Sequence, residues 1–191
     1  MRNLVLITHI SLDGFVAGTK GELDGFDANE ENLEFVCKLT EEANAALFGR
    51  ISYQLLESYW PAAKDRPGAT KAEIAYSNWY NNSQKIVVSR TLAGRNLPRT
   101  TIISENLSNE IPKLKQQAGK DILIFGSPAV SQLLMEMDLI DRYWIFINPK
   151  IFGEGIPLFT HSGKKMNLRL LSTRQFPNGE LAIEYVTDRK E

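Results

Sequence analysis

The sequence predicts an α/β protein with a mainly parallel central sheet flanked by helices and a C-terminal antiparallel hairpin at one edge. Three observations carry this. Short apolar runs alternate with helical periodicity as far as residue 147, the pattern of parallel strands joined by helical crossovers. Residues 121–137 condense it into one unit: Ile122 to Phe125 read as a strand, Gly126-Ser127-Pro128 as a turn, and Val130, Leu133, Leu134 and Met137 as one helical face. Residues 168–176 and 180–187 then read as paired strands around Pro177-Asn178-Gly179, a hairpin signal.

Leu4 to Ile7 form the first buried strand, broken by Ser11-Leu12-Asp13-Gly14, and residues 17–27, with Gly18, Gly21 and Gly25, form a polar loop. A helix spans 28–44 with Leu33, Val36, Leu39 and Ala43 inward. Ala45 to Phe48 are a strand ending in Gly49-Arg50, and Ile51 to Tyr59 a helix stopped by Trp60-Pro61. A charged loop covers 62–70 and a helix 71–80. Lys85 to Val88 are a strand ending in Ser89-Arg90, Thr101 to Ile103 another, and 107–118 a helix with Pro112 near its start. After the 121–137 unit come a strand from Tyr143 to Ile147 and an irregular loop over 152–157. No repeat, low-complexity tract or linker divides residues 1–191, which read as one domain.

A chain of 191 residues can bury a sizeable core, and 43% hydrophobic with 24% charged residues is ordinary globular composition. The net charge of −1, with signs interspersed, argues against nucleic acid and membrane surfaces as partners. The single Cys37 cannot form an internal disulfide, and its place among Leu33, Val36 and Leu39 reads as a packed thiol. The opening segment is too short for a signal peptide and no apolar run reaches transmembrane length, so a cytoplasmic protein is expected. No cluster of His, Cys, Asp and Glu has metal-site spacing, and no metal is expected.

Ligands of open parallel sheets bind beyond the carboxyl ends of the strands. Three such ends are polar here: Gly49-Arg50, Ser89-Arg90 and Gly126-Ser127. At the last, Ser127 suits an N-cap and Pro128 the first helical position. A helix N-terminus offers free N–H groups and a positive dipole end, a natural phosphate site. Each end alone also has a structural reading: a tight turn at Gly49, a solvated Arg50, a capped loop at Ser89-Arg90. Together, two Arg forks and two Ser hydroxyls suit a phosphorylated dinucleotide. Ser89-Arg90 carries no acid beside it, which favours NADP over NAD.

The segment Ser11-Leu12-Asp13-Gly14-Phe15-Val16-Ala17-Gly18 resembles the opening of the dihydrofolate reductase-like superfamily, and more closely the C-terminal reductase domain of riboflavin-biosynthesis deaminase-reductases and their stand-alone relatives. Leu47-Phe48-Gly49-Arg50-Ile51-Ser52-Tyr53, Tyr59-Trp60-Pro61, Lys85 to Arg90 and Ile124 to Ser127 match those relatives in order. Asn148-Pro149 and Phe152 to Phe159 complete a similarity that covers nearly the whole chain. The resemblance implies NADPH-dependent hydride transfer to a small heterocyclic substrate, a ribosylaminopyrimidine or a pterin-like compound, and a homodimer. It would place Gly49, Arg50 and Ser52 on phosphates and Ser89 and Arg90 on the 2′-phosphate and adenosine. The pyrophosphate would lie along Phe125, Gly126, Ser127, Pro128, Ala129 and Val130, and the nicotinamide near Val16 and Ala17. The family often has Gly-Gly at Gly126-Ser127 and Thr at Ser52; the second change keeps the hydroxyl, the first adds a side chain beside the pyrophosphate.

Hydride transfer also calls for a proton source. Folate-reducing relatives carry a pterin-binding acid on the first helix, where Glu30, Glu31 and Glu34 stand here; Glu31, Glu34 and Asp13 are the catalytic candidates. The competing readings are a solvated acidic face and, for Asp13, a turn residue. His9 ends the first strand at the matched site, as a ligand-facing or a structural histidine, and His161 has no evident partner. Lys64, Arg66, Lys164 and Lys165 could hold a substrate phosphate or be scattered surface charges. Trp60, Trp79, Trp144 and Tyr53 read as core or interface aromatics, with Tyr53 and Trp60 also suited to a substrate cleft. A nucleotide-binding protein without turnover is the alternative function.

Overall fold

The computed structural model describes residues 1–26, 29–160 and 165–188. The strands β1 (Leu4–Ile10), β3 (Ala43–Gly49), β4 (Gln84–Val88), β5 (Thr100–Ile103), β6 (Asp121–Phe125), β7 (Arg142–Ile147), β9 (Leu168–Gln175) and β10 (Leu181–Thr187) form one sheet in the order β5-β4-β3-β6-β1-β7-β10-β9. The first six of these are parallel, and β10 and β9 continue the sheet antiparallel. Two short strands, β2 (Phe15–Ala17) and β8 (Ile156–Pro157), pair separately beyond β1. They lie in segments read as turn and loop, because two or three residues are too few to show alternation.

Period-two alternation along the central strands feeds two cores. Leu4, Leu6, Ala45, Leu47, Ile122 and Ile124 face helices α4 (Leu107–Gln116) and α5 (Pro128–Glu136), through Leu107, Ile111, Leu114 and Leu134. Val5, Ile7, Ala46, Phe48 and Leu123 face α1 (Glu30–Glu41), α2 (Arg50–Ala63) and α3 (Lys71–Asn82), through Val36, Tyr53, Tyr76 and Tyr80. Each fully buried aliphatic here contributes about 1.5–3 kcal/mol. Helices on both faces leave the strands' carboxyl ends as the open edge where a ligand can reach backbone groups.

Four expectations are corrected. The first helix ends at Glu41, and Ala43 opens β3; its buried stripe is Asn32, Val36 and Thr40, with Leu33 and Leu39 only partly buried. Pro61 lies inside α2 rather than ending it. In the last turn the carbonyls of Trp60 and Pro61 accept from Ser77 Oγ (2.6 Å) and Asn81 Nδ2 (3.0 Å) of α3, so side chains satisfy what the helix cannot. On α5 the buried residues are Ser131 and Leu134, while Leu133 and Met137 are exposed. Ser131 is accommodated because its hydroxyl donates to the Gly126 carbonyl at 2.9 Å. Ser127 adopts a left-handed backbone (φ 53°) and makes no capping bond.

Among the described residues no helix is long and apolar enough to cross a membrane, and no group of three His, Cys, Asp or Glu could hold a metal ion. His161 and Lys164 lie outside the described residues.

Candidate active site

The three polar strand ends stand side by side because β4, β3 and β6 are adjacent and parallel. A hydrogen bond joins two of them: the Gly49 N–H donates to Ser127 Oγ at 2.8 Å. Ser127 therefore couples the turn before α5 to the turn before α2 instead of capping its own helix. Gly126 also has positive φ (+56°), and a Cβ built there would sit 4.0 Å from Ser52 Oγ, so the Ser52 hydroxyl faces the same gap. A Cβ on Gly49 would press on Val130 Cγ2 at 3.1 Å. Thus Gly49, Ser52, Gly126, Ser127 and Val130 form one cluster.

The two helices entering this cluster differ from α1 and α3, and from α4, which is likewise uncapped but carries Glu110 in its first turn. Helix α1 is capped by Asn29 and has Glu30 and Glu31 in its first turn; α3 has a complete Thr70–Glu73 capping box. Those ends have side-chain partners and negative charge. Helices α2 and α5 have no side-chain cap and no acid in the first turn. At α5 Pro128 has no N–H and the Val130 N–H donates to the Ser127 carbonyl at 2.9 Å, so that end offers the Ala129 N–H. The first turn of α2 is Arg50, Ile51 and Ser52, and both positive dipole ends are open to an external anion.

At the third end, Ser89 is buried and its Oγ lies 3.2 Å from Thr91 Oγ1 and accepts from the Leu92 N–H at 3.2 Å. This builds the turn that carries the exposed Arg90. Arg50, also exposed, donates to Gln54 at 3.1 Å. The Phe125 ring packs among Phe48, Tyr76 and Trp79, leaving its backbone at the strand end. Pro128 lacks an N–H to offer, and Ala129 is exposed beside it.

Val16 and Ala17 are buried in β2, beside the end of β1. Their pairing with β8 needs glycine at 155, where a Cβ would lie 2.4 Å from the Ala17 carbonyl oxygen.

The acidic candidates do not meet there. Asp13 is exposed and accepts from the backbone N–H groups of Phe152 (3.1 Å) and Gly153 (2.7 Å). The Ser11 hydroxyl, then those amides, hold its carboxyl down to about 2. A carboxyl that low stays ionised at neutral pH and donates no proton; the geometry is that of the turn residue. Glu31 and Glu34 are exposed on α1, the solvated acidic face. Tyr53 is buried, Trp60 packs on Tyr76, and Arg66 lies over the Tyr59 ring at 4.0 Å. The Cys37 thiol, pushed up by burial, donates to the Ala72 carbonyl at 3.4 Å.

The structure does bring an acid to this edge from elsewhere. Glu180, fully buried just before β10, accepts from His9 Nδ1 (2.7 Å), Asn32 Nδ2 (2.7 Å) and Asn148 Nδ2 (3.2 Å). Local patterning does not reveal it, because Asn32 is 148 residues away in sequence and His9 lies farther still. The signal was alternation: Glu180 falls in phase with the buried Ala182 of β10, and Asn32 in phase with Val36 and Thr40 of α1.

Six parallel strands continued by an antiparallel pair, with helices on both faces, have the dihydrofolate reductase-like α/β fold. The chain belongs to the RibD C-terminal domain family, whose model matches residues 2–182. It is 31% identical over 186 residues to the uncharacterized protein YyaP of Bacillus subtilis, covering 96% of this chain and 94% of that one. Its fold is similar to that of a putative riboflavin biosynthesis protein from Shewanella sp. PV-4 (TM-score 0.72, 22% identity, 99% of this chain and 100% of that one). It is also similar to dihydrofolate reductase from Enterococcus faecalis, solved as a complex with NADP(H) (TM-score 0.65, 13% identity, 98% and 97%). Membership of this reductase family supports a reductase-like role.

Proposed function

We propose that the protein is an NADPH-dependent reductase of a small heterocyclic substrate and that residues 1–191 act as one domain. The observation that carries this is the pair of uncapped, acid-free helix N-termini, α2 and α5, tied together by the Gly49–Ser127 hydrogen bond. That arrangement fits a pyrophosphate, which needs several N–H donors converging from two sides.

In this reading the N–H groups opening α2, the Ala129 N–H of α5 and the Ser52 hydroxyl hold the pyrophosphate. Ser89 shapes the turn from which Arg90 meets the 2′-phosphate, and Arg50 adds charge at the rim. Val16 and Ala17 form an apolar floor for the nicotinamide and exclude water there. The bound cofactor supplies hydride; the chain supplies orientation. The complex of the Enterococcus relative with NADP(H) supports the same choice of cofactor. The test is fluorescence titration with NADPH and NADH, then oxidation assays with dihydrofolate and 5-amino-6-(5-phosphoribosylamino)uracil.

The exposed glutamates of α1 favour a second reading, a nucleotide-binding protein without turnover. It predicts NADPH binding with no oxidation by either compound.

We also propose a homodimer through the C-terminal hairpin. Leu168, Leu170 and Leu171 are exposed along the edge strand β9, apolar surface that pairing with a second copy would cover. Sedimentation should give twice the chain mass, and Leu170→Lys should give the monomer; a monomeric unaltered protein would contradict the dimer.

A further inference from the structure

We propose that His9, gripped from behind by Glu180, is the proton donor to the substrate, and that Glu180 and Asn32 are its positioning residues. The inference rests on the reductase reading and assigns it an acid drawn from the C-terminal hairpin instead of the first helix.

The carboxylate of Glu180 is fully buried, and three side-chain N–H donors reach it from β1, α1 and the residue after β7. Such a set matches an acceptor-only carboxylate. Burying that charge is costly, and an apolar side chain would fill the corner at lower cost. What Glu180 adds is a fixed hold on one ring nitrogen.

That hold determines what His9 can do. Nδ1 is occupied by Glu180 at 2.7 Å, and the ring is stacked on Phe146 with centroids 4.7 Å apart. Tautomer and ring plane are both set, so Nε2 is the nitrogen left for chemistry. No hydrogen bond reaches Nε2 among the described residues, and the side chain is 34% exposed. His9 is the last residue but one of β1, which lies next to β6 and leads through the Ser11–Gly14 turn to Val16 and Ala17. It therefore stands at the carboxyl edge that carries the phosphate turns. Phe26 lies 6.2 Å from its ring and Phe152 5.1 Å from Phe26, which adds aromatic surface against which a planar heterocycle can stack.

The balance is simple. With a reduced nicotinamide as hydride source, the hydride forms a C–H bond at the carbon of a substrate C=N group. The π pair moves to nitrogen, which takes the proton from His9 Nε2 as that N–H breaks. The imidazolium becomes neutral imidazole, with Nδ1–H still on Glu180, and recovers its proton from water. A bound reduced nicotinamide would supply the hydride and with it both electrons.

The test uses the full chain labelled with ¹⁵N-histidine, with His9→Gln assigning the signal. The His9 Nδ1 resonance should be that of a hydrogen-bonded N–H, altered in Glu180→Gln. In the presence of NADP⁺, adding dihydrofolate or 5-amino-6-(5-phosphoribosylamino)uracil should shift Nε2. His9→Gln should lower turnover about 100-fold or more, with the NADPH dissociation constant unchanged within about twofold. Glu180→Gln should lower kcat by about 10- to 100-fold at unchanged cofactor affinity, and Glu180→Asp should recover part of the loss. Circular dichroism guards against unfolding, and the His9 variant stands alone if a Glu180 variant does not fold. The proposal is overturned by wild-type turnover in folded His9→Gln, by a bound probe that leaves Nε2 unmoved, or by a protein that binds NADPH but neither probe. Absence of NADPH binding to the unaltered protein is a different failure, that of the reductase reading itself.

Discussion

Arg90→Ala should weaken NADPH binding by roughly 10- to 100-fold, from the loss of about 1.5–3 kcal/mol for hydrogen bonds to a charged group. NADH binding should change by no more than about threefold, because the two dinucleotides differ only at the 2′-phosphate of the adenosine ribose. The structural ground is the turn itself. Ser89 is buried and engaged with Thr91 and Leu92, so the turn keeps its shape without Arg90, and Arg90 is exposed at its tip. The substitution therefore removes a charge and not a fold element. Fluorescence titration of the variant with both cofactors reads the effect directly. Equal losses for NADPH and NADH would show that Arg90 does not meet the 2′-phosphate.

Lys115→Met should have the largest effect on stability, a loss of about 3–5 kcal/mol. The Lys115 ammonium is buried, with its Nζ 2.6–2.7 Å from both carboxylate oxygens of Asp141 and 3.3 Å from the Leu139 carbonyl. Asp141 also accepts from the Leu4 N–H at 2.8 Å, so the pair fastens α4 to the start of β1 and β7. Removing the ammonium takes from the buried Asp141 carboxylate a cation held at 2.6–2.7 Å, which is what makes breaking such a pair expensive. For a chain of this size the melting temperature should fall by roughly 6–20 °C. A fall of under about 2 °C would mean that water or a shifted side chain replaces the ammonium.

The residues legible in sequence were those whose role is local. Buried β-branched runs such as Ile86 to Val88 and Ile122 to Ile124 have one solution in an α/β chain, and Thr70 to Glu73 announce a helix start within four residues. The strand-end turns were found for the same reason. What they do to one another was not: Ser127 has the side chain of an N-cap, and only the fold shows that it bridges to Gly49. Pro61 and Ser131 misled because tertiary partners, Ser77 with Asn81 in one case and the Gly126 carbonyl in the other, satisfy groups that local rules leave unpaired. Resemblance points to an acid on α1, yet Glu31 and Glu34 are exposed and the buried position of that turn is Asn32. Its carboxylate partner comes from the far end of the chain, and no periodicity connects two such segments.

Fluorescence titration of the unaltered protein with NADPH tests whether the strand-end turns hold a dinucleotide. Saturable binding in the micromolar range is expected, with NADH at least about tenfold weaker. No saturation up to about millimolar NADPH would contradict it, because two open helix ends and Arg90 would then serve no dinucleotide.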